Sequence, residues 1–438
     1  MDAHRQPGYR DFFEVWLMKT RIIPALMLCA MLSWHTLNAQ GQTINNYCPY
    51  SQKHWNQLAC LIPDIALTGN SDIQGFNTTL ARVIAQLPVA APVSGLALTL
   101  DRSTGVYTLS SDLGGVLTER GSTLGKGKVF LGFTYQRFSF DSIDGTDLNR
   151  IPTVSVISGN QFYSSTNSLH AVIDQYTAIV AVGVSDRMDF SLTLPFNNVS
   201  LSGTSQNGIE ASNGGTERQL GSTSISGSAS GAGDLLLNGK YGFIKGERSQ
   251  FAGGLEVRLA TGNEYNLIGS GAYGFRPYIV YSRLGRRWHP HANFGYQWNG
   301  QSVLNLDPKT GISLRLPDSL AYAAGVDYSV LKRLTLVGDF VGEHFFDAPT
   351  VTGALLATSA NVPNLGPACP ESNCNPLNGT VKTVGINYHN AFDEDGLAVG
   401  IKFNPVGRLL VSANVLIKLN DAGLRANYVP LVGISYRF

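Results

Sequence analysis

The sequence predicts an all-β chain: a transmembrane antiparallel up-and-down β-barrel of about twelve strands, with a small helical N-terminal segment. Three observations carry this expectation. Charged residues make up 14% of the 438, and 48 are glycine, where soluble domains run to roughly a quarter charged. Stretches of about ten to twelve residues alternate apolar with small or polar side chains, the length a tilted strand needs to cross a bilayer. Short turns alternate with long polar loops, and all five short turns fall on one side.

Taken in order, residues 1–39 read as a secretory signal. Met18-Lys19-Thr20-Arg21 is basic, Ile22 to Trp34 is apolar, and Leu37-Asn38-Ala39 precedes a candidate cleavage point. The apolar core is short for a membrane-spanning helix, and Met18 is a candidate true start. The formal net charge is +1, which excludes the strong positive field that nucleic-acid binding needs.

Residues 40–120 form a plug-like segment, placed in the periplasm or the lumen. Phe76, Leu80, Val83, Ile84 and Leu87 recur at helical spacing, with Asn77 or Thr78 as cap and Pro88 as stop. Residues 96–100 and 106–109 suggest a hairpin; were it part of the wall, the strand count becomes fourteen. Cys48 with Cys60 and Cys369 with Cys374 are close in sequence, so two local disulfides are expected. A zinc site is the rival, requiring both pairs to meet in space.

Residues 121–438 supply the staves. Val129, Leu131, Phe133 and Tyr135 open the alternation, and Ala171 to Val184 runs back. Met188 to Leu201 is among the clearest, with Phe190, Leu192, Leu194 and Phe196 on one parity. Strands follow at 234–244, 250–261, 273–283, 288–299, 319–330, 333–344, 396–404 and 409–420. The last stretch places Tyr428, Pro430, Val432, Ile434, Tyr436 and Phe438 on one face. Hydrocarbon leaves unpaired backbone groups unsatisfied, so a sheet in lipid must close on itself. Loops are expected at 141–168, 202–232 and 345–394, the second too polar to bury anything.

If the apolar parity faces lipid, the polar parity faces a lumen. Its early members are Gln136, Asp189, Asp234, Asn238 and Lys240. Glu256, Arg258, Arg276, Tyr278, Asn293 and Gln297 come next. Asp327, Asp339, Lys402, Asn414 and Lys418 complete the set. Twelve strands fall between barrels filled by side chains and open sixteen-stranded porins, so a narrow path is expected.

Chemical motifs are sparse, and no enzyme, cofactor or metal site is predicted. Gly269 to Gly274 has the G-x-G-x-x-G spacing, but no helix follows it. His289 and His291 share a face without a carboxylate nearby in sequence. Glu343, His344 and Asp347 gather at an outer strand end without a matching partner strand, which leaves a protease constellation incomplete.

Gly231-Ala232-Gly233-Asp234 with Lys240-Tyr241, Thr261-Gly262, and Tyr296-Gln297-Trp298-Asn299-Gly300 together resemble motifs of the outer-membrane family labelled "MetA pathway of phenol degradation". That family is related to the FadL/TodX class of hydrophobic-solute channels. The likeness covers roughly residues 115 to 438. It implies outer-membrane lipid as surroundings and passive uptake of small, hydrophobic or aromatic solutes. Ala260 stands where the family often has proline, and the N-terminal segment lacks the Asn-Pro-Ala start of the FadL hatch. Neither lateral diffusion nor any binding residue is therefore carried over. The terminal strand ending at Phe438 resembles the signal read by the barrel-assembly machinery. The alternative is a structural or adhesive barrel whose long loops bind external partners.

Overall fold

The computed structural model describes residues 54, 57–65, 74–86, 98–101, 106–109 and 118–438, apart from 159–160, 212–217, 308–309, 332 and 358–379. The described residues all fall within one compact unit, Asn38–Phe438. The expected signal, Cys48, Cys369 and Cys374 lie outside the described residues, whereas Cys60 is buried.

Twelve strands form one antiparallel sheet that closes on itself. They are β1 (Val129–Phe140), β2 (Gln161–Gly183), β3 (Met188–Ala211), β4 (Leu235–Lys245), β5 (Ser249–Leu259) and β6 (Gly274–Arg283). β7 (Trp288–Asn299), β8 (Ser319–Leu331), β9 (Leu334–Ala357), β10 (Thr380–Phe403), β11 (Leu409–Lys418) and β12 (Tyr428–Arg437) follow. Each pairs with its chain neighbours, and β12 returns to β1, Ile434 opposite Phe133. Closure gives every wall strand two partners, which is what hydrocarbon demands of a backbone. No helix among the described residues is long and apolar enough to cross a membrane.

The alternation sorts side chains as the pleat requires. On β7, Trp288, Phe294 and Trp298 are 59%, 48% and 46% exposed, whereas His289, His291, Gln297 and Asn299 are buried. On β12, Tyr428, Val432, Ile434 and Tyr436 face out and Val429, Leu431 and Arg437 face in. Exposed aromatics gather at both rims: Phe275, Trp298 and Tyr428 at the end with long connections, Trp288, Phe403 and Phe438 at the end with short turns. Aliphatic Ile279, Val399 and Val432 lie between them. Two such girdles mark the interfaces of an outer-membrane barrel, and its short turns belong on the periplasmic side.

The expected hairpin is present: Leu98–Asp101 pairs with Val106–Leu109 in a two-stranded sheet separate from the wall, which has the twelve strands expected. Three departures from the sequence reading have physical causes. The stretches expected as loops are largely strand: β2, β3, β9 and β10 run for 23 or 24 residues, and Arg218–Ala232 adds to β3. Ser, Thr and Asn continue a ladder in water because backbone pairing needs no apolar face. The 202–232 stretch also buries Ile225 and Ala229 against the N-terminal segment. The periodic helix spans Gln74–Gln86, so Asn77 and Thr78 lie inside it, and Thr78 Oγ1 donates to the Leu304 carbonyl at 3.0 Å.

Two helices, α1 (Leu58–Ile65) and α2 (Gln74–Gln86), pack inside the outer half of the sheet. Leu58, Leu61, Leu80 and Ile84 join Phe138, Phe140, Ile173, Leu201, Ile268 and Leu424 in one apolar core. The outer half of the interior therefore holds an apolar core beside its polar groups, where a polar lining was expected throughout.

Candidate functional site

The interior is divided among three elements. α2 occupies the outer half, the 260–273 connection folds inward at mid-height, and residues 118–124 lie across the periplasmic half. Each is fastened to the wall by residues on the inward parity.

The inward connection is held by the glycine-rich motifs. Asp234 accepts from Gly262 N at 3.0 Å, from Ser270 N at 2.8 Å and from Ser270 Oγ at 2.5 Å. Thr261 Oγ1 donates to Gly233 O at 2.9 Å. A Cβ on Gly262 would stand 2.6 Å from Gly269 Cα, so glycine is needed for this close approach. Gly269 to Gly274 thus belongs to this fold-back, with Ser270 bound to Asp234 in place of a phosphate cradle. A side-chain ladder on β1 to β3 supports it from the adjoining wall. Gln136 donates to Gln175 at 2.5 Å, Gln175 to Asn197 at 3.1 Å, and Asn197 to the Ile268 carbonyl at 2.8 Å.

Residues 118–124 meet five different staves. Glu119 pairs with Lys240 at 3.0 Å, and Arg120 pairs with Asp327, both partners of the latter being buried. Gly121 N donates to Ser282 Oγ at 3.0 Å, and Leu124 N donates to the Asp189 carboxylate at 2.9 Å. With its amide turned to match its neighbours, Asn293 bonds both backbone groups of Glu119. A buried charge costs several kcal/mol unless it is paired, so these contacts hold the segment in place as a set.

Between α2 and the wall lies a cavity of about 290 Å³. One side is apolar: Phe138, Phe140, Phe345, Leu424 and Val429. The other carries Glu256, Arg276, Tyr278, Asn293, Glu343 and Glu394. The charges are mutually matched. Glu256 meets Arg276 at 2.7 Å, and Glu394 meets Arg82 at 2.8 Å and Arg425 at 3.2 Å. Arg82, almost wholly buried, also lies over the Phe345 and Phe392 rings at 4.2 and 4.9 Å. Glu343 accepts from Ser319 at 2.5 Å, and Tyr278 donates to Asn238 at 2.8 Å.

The structure separates the residues expected along the lumen into two groups. Asp234, Asn238, Glu256, Arg258, Arg276, Tyr278, Asn293, Gln297 and Lys418 line the cavity. Gln136, Asp189, Lys240, Asp327, Asp339, Lys402 and Asn414 are buried in the interior away from it. Arg82, Phe138, Phe140, Phe345 and Glu394 are among the further lining residues and were not anticipated as such. Phe138 and Phe140 carried a usable signal, since they lie on the parity of Gln136. Glu343 and His344 point to opposite faces of β9; His344 pairs with Asp393 at 2.9 Å, and Asp347 pairs with His389 at 2.6 Å. Asp234 approaches Arg258 at 3.9 Å, while Arg258 donates to the Ala85 carbonyl at 2.8 Å and ties α2 to the wall.

A closed antiparallel sheet with a lipid-facing apolar exterior, two aromatic girdles and an interior filled by its own N-terminal segment defines an outer-membrane β-barrel. The model of the family described as "Putative MetA-pathway of phenol degradation" matches residues 153–367 of the chain. Among solved structures it is similar to the COG4313 outer membrane channel from Pseudomonas putida F1. The identity is 13% and the TM-score 0.42, over 73% of this chain and 99% of that one. It is also similar to the outer membrane channel DcaP of Acinetobacter baumannii, with 10% identity and a TM-score of 0.28 over 71% and 98%. A Pseudomonas aeruginosa FadL homologue matches at 9% identity and a TM-score of 0.28, over 72% and 90%. No curated protein matches the chain in sequence.

Proposed function

We propose that the protein is an outer-membrane channel for the passive uptake of small hydrophobic or aromatic solutes that carry a polar group. The interior cavity carries this reading. A dry cavity of about 150 Å³ admits benzene, so about 290 Å³ has room for one substituted ring and little more. Apolar Phe138, Phe140 and Phe345 would take the ring, and the hydrogen-bonding side at Tyr278, Asn293 and Glu343 its polar substituent. Selection would then follow from width and from the match between two unlike walls, without covalent chemistry.

Solute has to pass α2 above the cavity and residues 118–124 below it. The N-terminal segment is therefore the gate in this reading, and its charge pairs set the resting position. Planar-bilayer conductance of the refolded protein tests this. Current that rises when residues 40–120 are deleted supports a gated channel. A barrel that stays silent in both forms favours a structural or adhesive role, to which the 23- and 24-residue strands extending past the membrane would then belong.

A further inference from the structure

His291 on β7, Asp327 on β8 and Asp339 on β9 bring one ligand atom each within 4.8 Å of one another. All three side chains are buried, at 3%, 0% and 0% exposure. They sit in the periplasmic half of the interior, apart from the cavity. Strand register puts them together: Gly325 is opposite both His291 and Asp339, and His289 is opposite Asp327. A Cβ on Gly325 would collide with both the Asp339 carboxylate and the His291 ring, so glycine opens the space in which they meet.

The polar atoms are arranged as a ligand set. Asp327 gives one oxygen to Arg120, and its Oδ1 has no hydrogen-bond partner among the described residues. Asp339 Oδ2 is likewise buried without one. His291 Nε2 lies 2.9 Å from Asp339 Oδ1, and its Nδ1 lies 3.3 Å from the His289 carbonyl. With the proton on Nδ1, the Nε2 lone pair turns toward the two carboxylates, and a backbone carbonyl on the far nitrogen is the usual outer support of a metal ligand.

We infer that His291, Asp327 and Asp339 form a binding site for a divalent transition-metal cation of the zinc class. One imidazole and two carboxylates suit Zn²⁺, whereas Mg²⁺ and Ca²⁺ prefer oxygen alone. Two carboxylates and one divalent cation are electrically neutral, so the metal competes with Arg120 for Asp327. Loading the site therefore weakens one of the contacts that hold residues 118–124.

Calorimetry and anomalous diffraction on the full-length protein in detergent test this, with Zn²⁺ alone as probe and Mg²⁺ as control. The expected result is one Zn²⁺ per chain, anomalous density among the three side chains, and no heat from Mg²⁺. His291→Gln and Asp339→Asn each remove a ligand, so affinity should fall by more than the ~10–100-fold lost with an outer-shell partner. Heat-modifiable gel mobility identifies the variants that retain the barrel. Arg120→Gln removes the competing cation and tightens binding without touching a ligand. The inference is overturned if the wild type binds no Zn²⁺, if bound Zn²⁺ lies elsewhere, or if Arg120→Gln weakens binding.

Discussion

Arg120, on a segment that precedes the first stave, forms a buried ion pair with Asp327 on the inner face of β8. The two are separated by more than 200 residues in sequence, and this pair fastens the N-terminal segment inside the barrel. Breaking a buried pair by removing one partner strands the other charge, at a cost of roughly 3–5 kcal/mol. Arg120→Ala should therefore undock residues 118–124, lower resistance to denaturant and raise conductance in planar bilayers. Adding Asp327→Asn should recover most of the lost stability, and a double-mutant cycle reads the difference.

Asp234 holds the inward connection through three accepted hydrogen bonds. Bonds to a charged group contribute about 1.5–3 kcal/mol each, so Asp234→Ala should free residues 260–273. Protease cutting within that stretch should rise several-fold while the barrel stays folded. Asp234→Asn, which retains one acceptor oxygen, should fall between the two.

Phe294 and Gln297 lie on opposite parities of β7, one toward lipid and one inward. Phe294→Arg puts a charge into hydrocarbon and should cost about 2–4 kcal/mol of folding free energy in vesicles. Gln297→Ala removes the hydrogen bonds to Asn299 and Trp298, about 1 kcal/mol for a typical bond. Equilibrium refolding into lipid should rank them in that order, and the reverse order would contradict the assignment of faces.

Asp144 ties three outer connections together by accepting from Val351 N at 2.7 Å and Gly423 N at 2.6 Å. Burial raises its pKa above the ordinary 3.8, against the opposing pull of those two amides. The docked state therefore holds the proton more tightly than the undocked one, and docking strengthens as pH falls through the raised value toward 3.8. Hydrogen exchange at 141–150 and 420–427, corrected for intrinsic rates, should slow on acidification through that window. Asp144→Asn should remove the dependence.

The barrel was legible because strand periodicity is local. A period of two needs only neighbouring residues, and the exposed Phe294 and Trp298 beside the buried His291 and Gln297 follow that pattern directly. The long extensions of β2, β3, β9 and β10 were not legible. Alternating Ser, Thr and Asn look like solvated loop until a partner strand is known to lie beside them. The helix at Gln74–Gln86 was visible in its spacing, while α1, only eight residues long, was not singled out.

Strand number, strand faces and the position of the wall in lipid were thus set by the order of residues along the chain, because neighbouring side chains and solvent decide them. The interior was set by tertiary structure. Glu119 meets Lys240, Arg120 meets Asp327, and Arg82 meets Glu394 only once the sheet has closed around the N-terminal segment. Such pairings depend on strand register and on what fills the lumen. The carboxylates beside His291 show the same thing: absent from its neighbourhood in sequence, they are brought to it by the adjoining staves.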